Sequence, residues 1–194
     1  MPFVFKRLVL YLSISAAFAA DKESTFRAPS ADGLAHHQTN AKVTIGAEAY
    51  TLPDKEKTAF GKLDLYARGV LPVLVVVQNG GDQAIRLDGI KAFYVGPNHN
   101  RVEATPAKDV RYINGPNRPI VPTSPLPTRT KKNPLDAWEV EGRAFAAKTL
   151  PPGESASGFF YFQAGMQAGA TIYLNGITEP ATGEELFYFE IPLN

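Results

Sequence analysis

Apolar and polar residues alternate with a period of two over much of this chain, and that pattern predicts β-strands. Between residues 43 and 49, the apolar side chains of Val43, Ile45 and Ala47 alternate with polar or small residues, as in a half-buried edge strand. Residues 70–78 differ, because they are almost continuously apolar and rich in valine. Such a run predicts a central strand with both of its faces covered.

The longest apolar run is followed by residues that favour tight turns. Residues 79–82 read Asn-Gly-Gly-Asp, and these residue types tolerate the positive φ angles of a hairpin turn. We therefore predict a hairpin in which residues 84–87 return beside residues 70–78.

The remaining pattern completes an all-β fold. More strands are predicted at residues 90–95, 143–150, 159–162, 171–174 and 186–191. Residues 53–57 are expected to form a polar connection, and Thr105-Pro106 suits the start of one short helix that ends by residue 113. About seven to nine short strands favour an antiparallel β-sandwich, which we expect to form a single domain over residues 42–194.

A proline-rich segment interrupts this pattern at residues 115–134. Its six prolines exclude a helix or a central strand and predict a long surface loop. Loops of more than about 15 residues are often functional or disordered. Arg118, Arg129, Lys131 and Lys132 make it a candidate site for an acidic partner or a polysaccharide, and a merely solvated loop is the alternative.

The first 19 residues predict a secretory signal peptide. Lys6 and Arg7 precede a short apolar run, and small residues at positions 17 and 19 fit cleavage after Ala19. The run is shorter than the roughly 20 residues that a spanning helix needs, and no later run replaces it. We expect no membrane span in the mature chain, a flexible polar leader at residues 20–41, and a periplasmic or extracellular location.

Two segments in the C-terminal half resemble a known class of protein. Residues 150–155, which read LPPGES, and residues 158–162, which read GFFYF, are similar to a signature of bacterial exported immunoglobulin-like domains. The run at residues 72–79 also looks like a hairpin strand of such domains. The resemblance implies an immunoglobulin-like β-sandwich and transfers no catalytic motif. The chain has no cysteine, so it departs from the lipid-anchored relatives, which carry one after the signal.

Composition excludes several classes of function. Without cysteine there are no disulfides and no thiolate metal ligands. The chain carries 20 Lys and Arg against 19 Asp and Glu, so it lacks the basic field that nucleic-acid binding requires.

Few residues suggest catalysis or metal binding. His36 and His37 are adjacent, and neighbouring side chains of an extended chain point in opposite directions, which disfavours joint chelation. Glu139 and Glu141 stand two residues apart, a spacing that exposed strand positions explain as well as acid–base chemistry does. No nucleophile or phosphate-binding motif occurs. We therefore predict no catalytic residues, no cofactor and no metal site.

Aromatic residues crowd the last strands and supply the remaining candidates. Adjacent aromatics on one strand cannot all point inward, so either a second layer covers the outer face, or Tyr161 and Tyr188 form an exposed patch suited to a partner. Together with Trp138 and the four basic loop residues, they are our candidate partner-binding residues.

The sequence thus favours a non-catalytic exported module that acts through protein or cell-surface contacts. One alternative is a small-ligand or carbohydrate-binding protein that uses Trp138 and exposed tyrosines, for which an exposed aromatic platform would be the mark. A second alternative is a hydrolase or metal enzyme assembled from dispersed acids and histidines, for which a pocket with clustered His and Asp or Glu would be the mark.

Overall fold

A computed structural model describes residues 26–113, 133–180, 182–186 and 188–193. Within these residues the chain is mostly β, with three antiparallel sheets and a few short helical segments. The strands are β1 (His37–Asn40), β2 (Val43–Ala49), β3 (Leu71–Asn79), β4 (Ile85–Arg86), β5 (Lys91–Val95), β6 (Arg101–Glu103), β7 (Thr149–Leu150), β8 (Ser155–Phe162), β9 (Thr171–Asn175) and β10 (Phe189–Pro192). The helical segments are α1 (Pro53–Phe60), α2 (Trp138–Gly142) and two 3-10 helices, Tyr66–Arg68 and Ala107–Tyr112.

The strands form two larger sheets and one small one. The first sheet has the order β1-β2-β3-β8, the second has the order β10-β9-β5-β6, and β4 pairs with β7 in the third. The first and second sheets meet along one edge, where the side-chain Oε1 of Gln38 in β1 accepts the backbone N–H of Glu190 in β10 at 2.8 Å.

The first and second sheets share one hydrophobic core. Val73 and Val75 of β3 lie in the same buried cluster as Tyr94 of β5, Ile172 of β9 and Phe189 of β10. Burying each large side chain of this kind contributes about 1.5–3 kcal/mol. The two sheets are therefore held together by their facing sides.

The prediction of a central strand at residues 70–78 is confirmed. β3 pairs with β2 on one side and with β8 on the other, and its residues 71–77 are all buried. Val73 and Val75 face the core between the sheets, whereas Leu74 and Val76 belong to a second buried cluster on the opposite face. This strand has no face in water.

The predicted hairpin after this strand is wrong. Both edges of β3 are occupied by β2 and β8, so the returning residues Ile85 and Arg86 pair instead with Leu150 and Thr149 of β7. The Asn-Gly turn is present: the Asn79 side chain accepts the backbone N–H of Gly81 at 3.0 Å. The turn reverses the chain but does not decide which strand it then meets.

A covering layer encloses the outer face of the first sheet. On that face, Leu74 and Val76 of β3 and Phe159 and Tyr161 of β8 are buried. They are covered by α1, α2, the 3-10 helix Ala107–Tyr112 and residues 26–36, which contribute Phe26, Ala31, Leu34, Phe60, Val110 and Val140 to the second cluster. The alternative of a covered outer face, raised by the aromatic pattern, is correct for this sheet.

Helix α1 replaces the polar connection that was expected at residues 53–57. Pro53 begins the helix, where its fixed φ and missing N–H cost nothing. Asp54 in the first turn places a negative charge at the positive end of the helix dipole, and Gly61, with φ of 65°, follows the last residue of the helix. Its Phe60 ring packs 4.7 Å from the ring of Phe159.

The expectation of a flexible leader over residues 20–41 is wrong for residues 26–41. The Phe26 ring lies 5.6 Å from that of Phe159, Ala31 is completely buried, and β1 pairs with β2. It follows that β2 is an internal strand and not an edge strand. The apolar residues of this segment are too widely spaced to show a period in the sequence.

Two other predictions are changed in extent. The short helix expected after Thr105 is present as the 3-10 helix Ala107–Tyr112, which starts one residue after Pro106. The strand predicted at residues 143–150 is reduced to Thr149–Leu150. Residues 115–132 of the predicted proline-rich loop lie outside the described residues. No helix in the described ranges is long and apolar enough to cross a membrane.

One carboxyl group is enclosed beneath the covering layer. Glu56 of α1 is 1% exposed, and its Oε1 accepts the backbone N–H of Tyr66 at 2.9 Å. Burial, together with a hydrogen bond to the Asp64 carboxylate, raises the pKa of Glu56 to about 7. The pKa of Asp64 is lowered, chiefly by the N–H of Ala67. Glu56 therefore joins α1 to the following 3-10 helix while it holds its proton.

We predict that Gly46→Ala destabilises the protein by about 2 kcal/mol or more, because a Cβ at this position would meet the carbonyl oxygen of Ala31, leaving residues 26–36 no room to dock. Gly165→Ala is the matched control, since nothing lies within 4 Å of its Cβ position, and should change stability by less than about 0.5 kcal/mol. Urea melts of the two variants test this. Equal stabilities would contradict the docking of residues 26–36.

We also predict that stability falls as pH rises from about 4.5 to about 7, between the pKa of an unfolded glutamate and that of native Glu56. The native state holds the Glu56 proton up to about pH 7, whereas an ordinary glutamate releases it near 4.5, so the free energy of unfolding decreases across this window, by at most about 3 kcal/mol. Glu56→Gln keeps the shape and an N–H donor, and should flatten the dependence. Urea melts from about pH 5 to about pH 8 measure it. The exposed Glu154→Gln is the control, and an unchanged slope in Glu56→Gln would refute the assignment.

Candidate functional site

No segment in the described part of the chain covers the outer face of the second sheet. Apart from Val95, the outward-facing side chains on its four strands are exposed or half-buried, in contrast to the covered face of the first sheet. We call this surface the open face, and its aromatic and charged members are Lys91, Phe93, Arg101, Glu103, Tyr173, Tyr188 and Glu190. Tyr188 immediately precedes β10 and is 53% exposed.

Strand register brings the aromatic residues of the open face together. Phe93 of β5 lies opposite Tyr173 of β9 on one side and opposite Glu103 of β6 on the other. Tyr173 lies opposite Glu190 of β10. Because residues two apart share one face of a strand, Tyr188 is placed on the same side as Glu190. The side chains of four strands thus meet on one surface.

The rings on the open face form a continuous chain of contacts. The Tyr173 and Tyr188 rings stack with centroids 5.2 Å apart and planes 23° apart. The Phe93 ring lies 6.3 Å from that of Tyr173, and the Arg101 guanidinium lies over the Tyr173 ring at 4.7 Å. Each aromatic pair on such a face contributes about 0.5–1.5 kcal/mol beyond burial. These contacts hold the rings in defined positions while leaving much of Tyr188 in solvent.

Charged groups of both signs surround these rings. Lys91 and Arg101 are exposed cations, and Glu103 and Glu190 are exposed anions. Glu190 accepts a hydrogen bond from the Thr171 hydroxyl at 3.2 Å. Lys91 and Glu103 form no ion pair with any residue in the described part of the chain. The open face therefore offers free donors and acceptors without a dominant charge.

A shallow cavity of about 190 Å³ adjoins the open face. Lys91 and Glu103 line it together with Phe145, Phe160 and other residues between β6 and β8. The Phe145 and Phe160 rings are stacked, with centroids 5.4 Å apart and planes 17° apart. The cavity and the open face therefore share two charged residues at their common boundary.

A second exposed surface surrounds α2. Trp138 is 68% exposed and Tyr112 is 48% exposed. Arg111 joins the neighbouring segments, because its guanidinium donates to Asp136 at 2.9 Å and to Glu141 at 2.8 Å. Because these ion pairs are exposed, they contribute little to stability and mainly fix the local geometry.

The structure separates the predicted site residues. Tyr188 lies on the open face, Trp138 lies on the second surface, and the two are not in contact. The basic candidates Arg118, Arg129, Lys131 and Lys132 lie outside the described residues, so their role remains a prediction.

The proposal that Tyr161 belongs to an exposed patch is wrong. Tyr161 is 1% exposed, and its hydroxyl donates to the backbone carbonyl of Val140 in α2 at 2.7 Å. Burial raises the pKa of this phenol well above its ordinary value. Tyr161 anchors the covering layer to the first sheet and is unavailable to a partner.

Sequence reasoning missed Phe93, Arg101 and Tyr173. Phe93 and Tyr173 could have been found from the alternation in residues 91–95 and 171–175, where buried residues alternate with these two aromatics. Arg101 lies outside both ranges. Period two alone places these aromatics on the outward face, but it does not tell whether another layer covers that face.

The described residues contain no group of three or more His, Asp or Glu side chains that could hold a metal ion. Nδ1 of His37 lies 3.1 Å from the carbonyl oxygen of Leu34, so a structural contact accounts for it. The carboxyl pair of Glu56 and Asp64 is unsuited to substrate, because Glu56 is 1% exposed.

Comparisons with known proteins add no family. No protein-family model matches the chain, and no curated protein matches it. Three solved structures are similar over much of its length. The yjhA protein from Bacillus subtilis is 10% identical, with 83% of this chain and 98% of that chain covered and a TM-score of 0.44. The ycdA protein from Bacillus subtilis is 15% identical, with 80% and 38% covered and a TM-score of 0.39.

The third is the archaellum periplasmic stator protein FlaG from Sulfolobus acidocaldarius. It is 17% identical, with 61% of this chain and 85% of that chain covered and a TM-score of 0.29. This chain thus spans nearly all of the first structure and well under half of the second. All three TM-scores are below 0.5, and we take no function from these likenesses.

We predict that Tyr161→Phe destabilises the protein by about 1–2 kcal/mol, because the buried carbonyl of Val140 loses its donor. Tyr188→Phe removes the same atom from an exposed ring and should change stability by less than about 0.5 kcal/mol. Thermal or urea melts compare the two substitutions. A smaller effect at Tyr161 than at Tyr188 would show that this hydrogen bond does not anchor α2.

Proposed function

We propose that this chain is a non-catalytic, exported immunoglobulin-like β-sandwich module that binds a protein or cell-surface partner through the open face. One observation carries the proposal. The outer face of the first sheet is enclosed by helices and by residues 26–36, whereas the outer face of the second sheet exposes the stacked Tyr173 and Tyr188 rings.

The chemistry of the open face favours recognition. Exposed contiguous aromatic surface is uncommon on monomeric proteins and marks interaction sites. Tyrosine and arginine are enriched at binding hot spots, and here Arg101 and Tyr173 are in contact at 4.7 Å. Strands also hold these side chains in place before binding, which lowers the entropy cost of association.

Two features support the sandwich and the absence of catalysis. The facing sides of two four-stranded sheets share one buried cluster, as in domains of the immunoglobulin type. The carboxyl group whose pKa is raised, Glu56 of α1, is buried and joins that helix to Tyr66. A fold of this kind does not by itself give a function, so the proposal depends on the open face.

Export is supported by the sequence of residues 1–19, with its charged, apolar and small-residue segments in that order. Intact mass of the protein recovered outside the cytoplasm should correspond to a chain that begins at Ala20. Recovery of the uncleaved chain in the membrane fraction would contradict export as a cleaved protein.

We expect labelled protein lacking residues 1–19 to bind the envelope of the producing cells, and Tyr188→Ala to weaken that binding roughly tenfold or more. Tyr188 is exposed, so the substitution should leave the melting temperature close to that of the wild type. Trp138→Ala is the matched control, because it removes an exposed aromatic from a different surface. Titration of envelope fractions with fluorescent protein measures all three.

The controls distinguish the two surfaces. Loss of binding in Trp138→Ala with full binding in Tyr188→Ala would move the site to α2 and refute the proposal for the open face. If both variants bind as tightly as the wild type, neither ring contributes to binding. Tyr188→Phe keeps the ring and should retain affinity.

A further inference from the structure

We propose that the open face and the adjoining cavity together bind an uncharged polysaccharide chain, which would run from the Tyr173–Tyr188 pair past Lys91 and Glu103 into the cavity beside β6. This inference rests on the proposed function, because it names the class of partner for the same surface. Neither the resemblance in the sequence nor the similar structures supply it.

The shape of the surface favours an elongated ligand. Ring contacts extend from Tyr188 through Tyr173 to Phe93, over centroid distances of 5.2 and 6.3 Å. Lys91 and Glu103 then form the boundary with the cavity, whose wall contains the stacked pair of Phe145 and Phe160. A compact small molecule would contact either the rings or the cavity, whereas a chain of linked rings can contact both.

The chemistry of the surface matches a sugar chain. Each sugar ring has an apolar face of C–H groups, which packs on an exposed aromatic ring, and hydroxyls at its edge that donate and accept hydrogen bonds. Tyr188 provides the exposed ring. Lys91 provides donors and Glu103 provides acceptors, and neither is paired with another described residue. Apolar surface with a few placed polar groups is the usual composition of a ligand site.

The charge distribution favours an uncharged polymer. Lys91 and Arg101 are offset by Glu103 and Glu190 on the same face, so no field attracts an acidic polysaccharide or a nucleic acid. On the open face these four charged residues surround the aromatic rings.

The first experiment uses purified polysaccharides as probes. Protein lacking residues 1–19 is titrated in a calorimeter with soluble dextran, mannan, laminarin and hydroxyethyl cellulose, and with alginate as an acidic contrast. We expect binding to at least one neutral polymer, unchanged between about 0.05 and about 0.5 M NaCl because the ligand carries no charge. Tyr188→Ala and Glu103→Ala should each weaken binding at least about fivefold, and Trp138→Ala and Tyr188→Phe should bind as the wild type does.

The second experiment uses the envelope fractions. Periodate, which cleaves the vicinal diols of sugars, should abolish binding, and protease treatment should leave it intact. If Tyr188→Ala loses envelope binding but protease removes the wild-type binding, the partner is a protein, and the polysaccharide inference fails while the proposed function stands. Absence of binding to every neutral polymer, or salt-sensitive binding to alginate alone, would also overturn the inference.

Discussion

The structure depends on a strand that is buried on both faces. Val73 and Val75 of β3 require one partner layer and Leu74 and Val76 require another, because leaving large apolar side chains in water forfeits about 1.5–3 kcal/mol each. The second sheet supplies the first layer. Helices and residues 26–36 supply the other, which makes the first sheet a middle layer. As a consequence, the outer face of the second sheet is the sheet face that stays open in the described part of the chain.

Much of the strand content could be predicted from the sequence, since period two and β-branched runs report local burial directly. Pairing could not be predicted as well. The prediction of a hairpin after β3 is wrong because the turn signal is local. The pairing is decided by β2 and β8, which occupy both edges of β3. Residues 26–36 were misjudged for a related reason. They dock through a few separated side chains such as Phe26, Ala31 and Leu34, and isolated apolar residues give no periodic signal.

The candidate site shows the same division between local and long-range information. Tyr161 and Tyr188 have similar sequence surroundings, each next to phenylalanines in a late strand. Tyr161 lies on the covered sheet and its hydroxyl bonds to Val140, whereas Tyr188 lies on the open one. The alternation of residues along each strand indicates that both tyrosine side chains point away from the core between the sheets. Which face received a covering layer is decided by segments distant in the sequence, such as α1 and α2, and no local pattern records it.

The arrangement also implies that the proposed recognition surface can change without loss of stability. The covering layer is held in place by buried groups. Glu56 of α1 bonds to Tyr66, and Tyr161 of the first sheet bonds to Val140 of α2. Changes at these groups therefore act on folding. The open face is built from side chains whose backbones are already fixed by four paired strands. Substituting one of its exposed rings would remove surface from the proposed binding face but leave the ladder and the shared core intact. A surface on which side chains can change without loss of the fold is well suited to evolve specificity, because the sheet beneath keeps the spacing of its rings and charges constant.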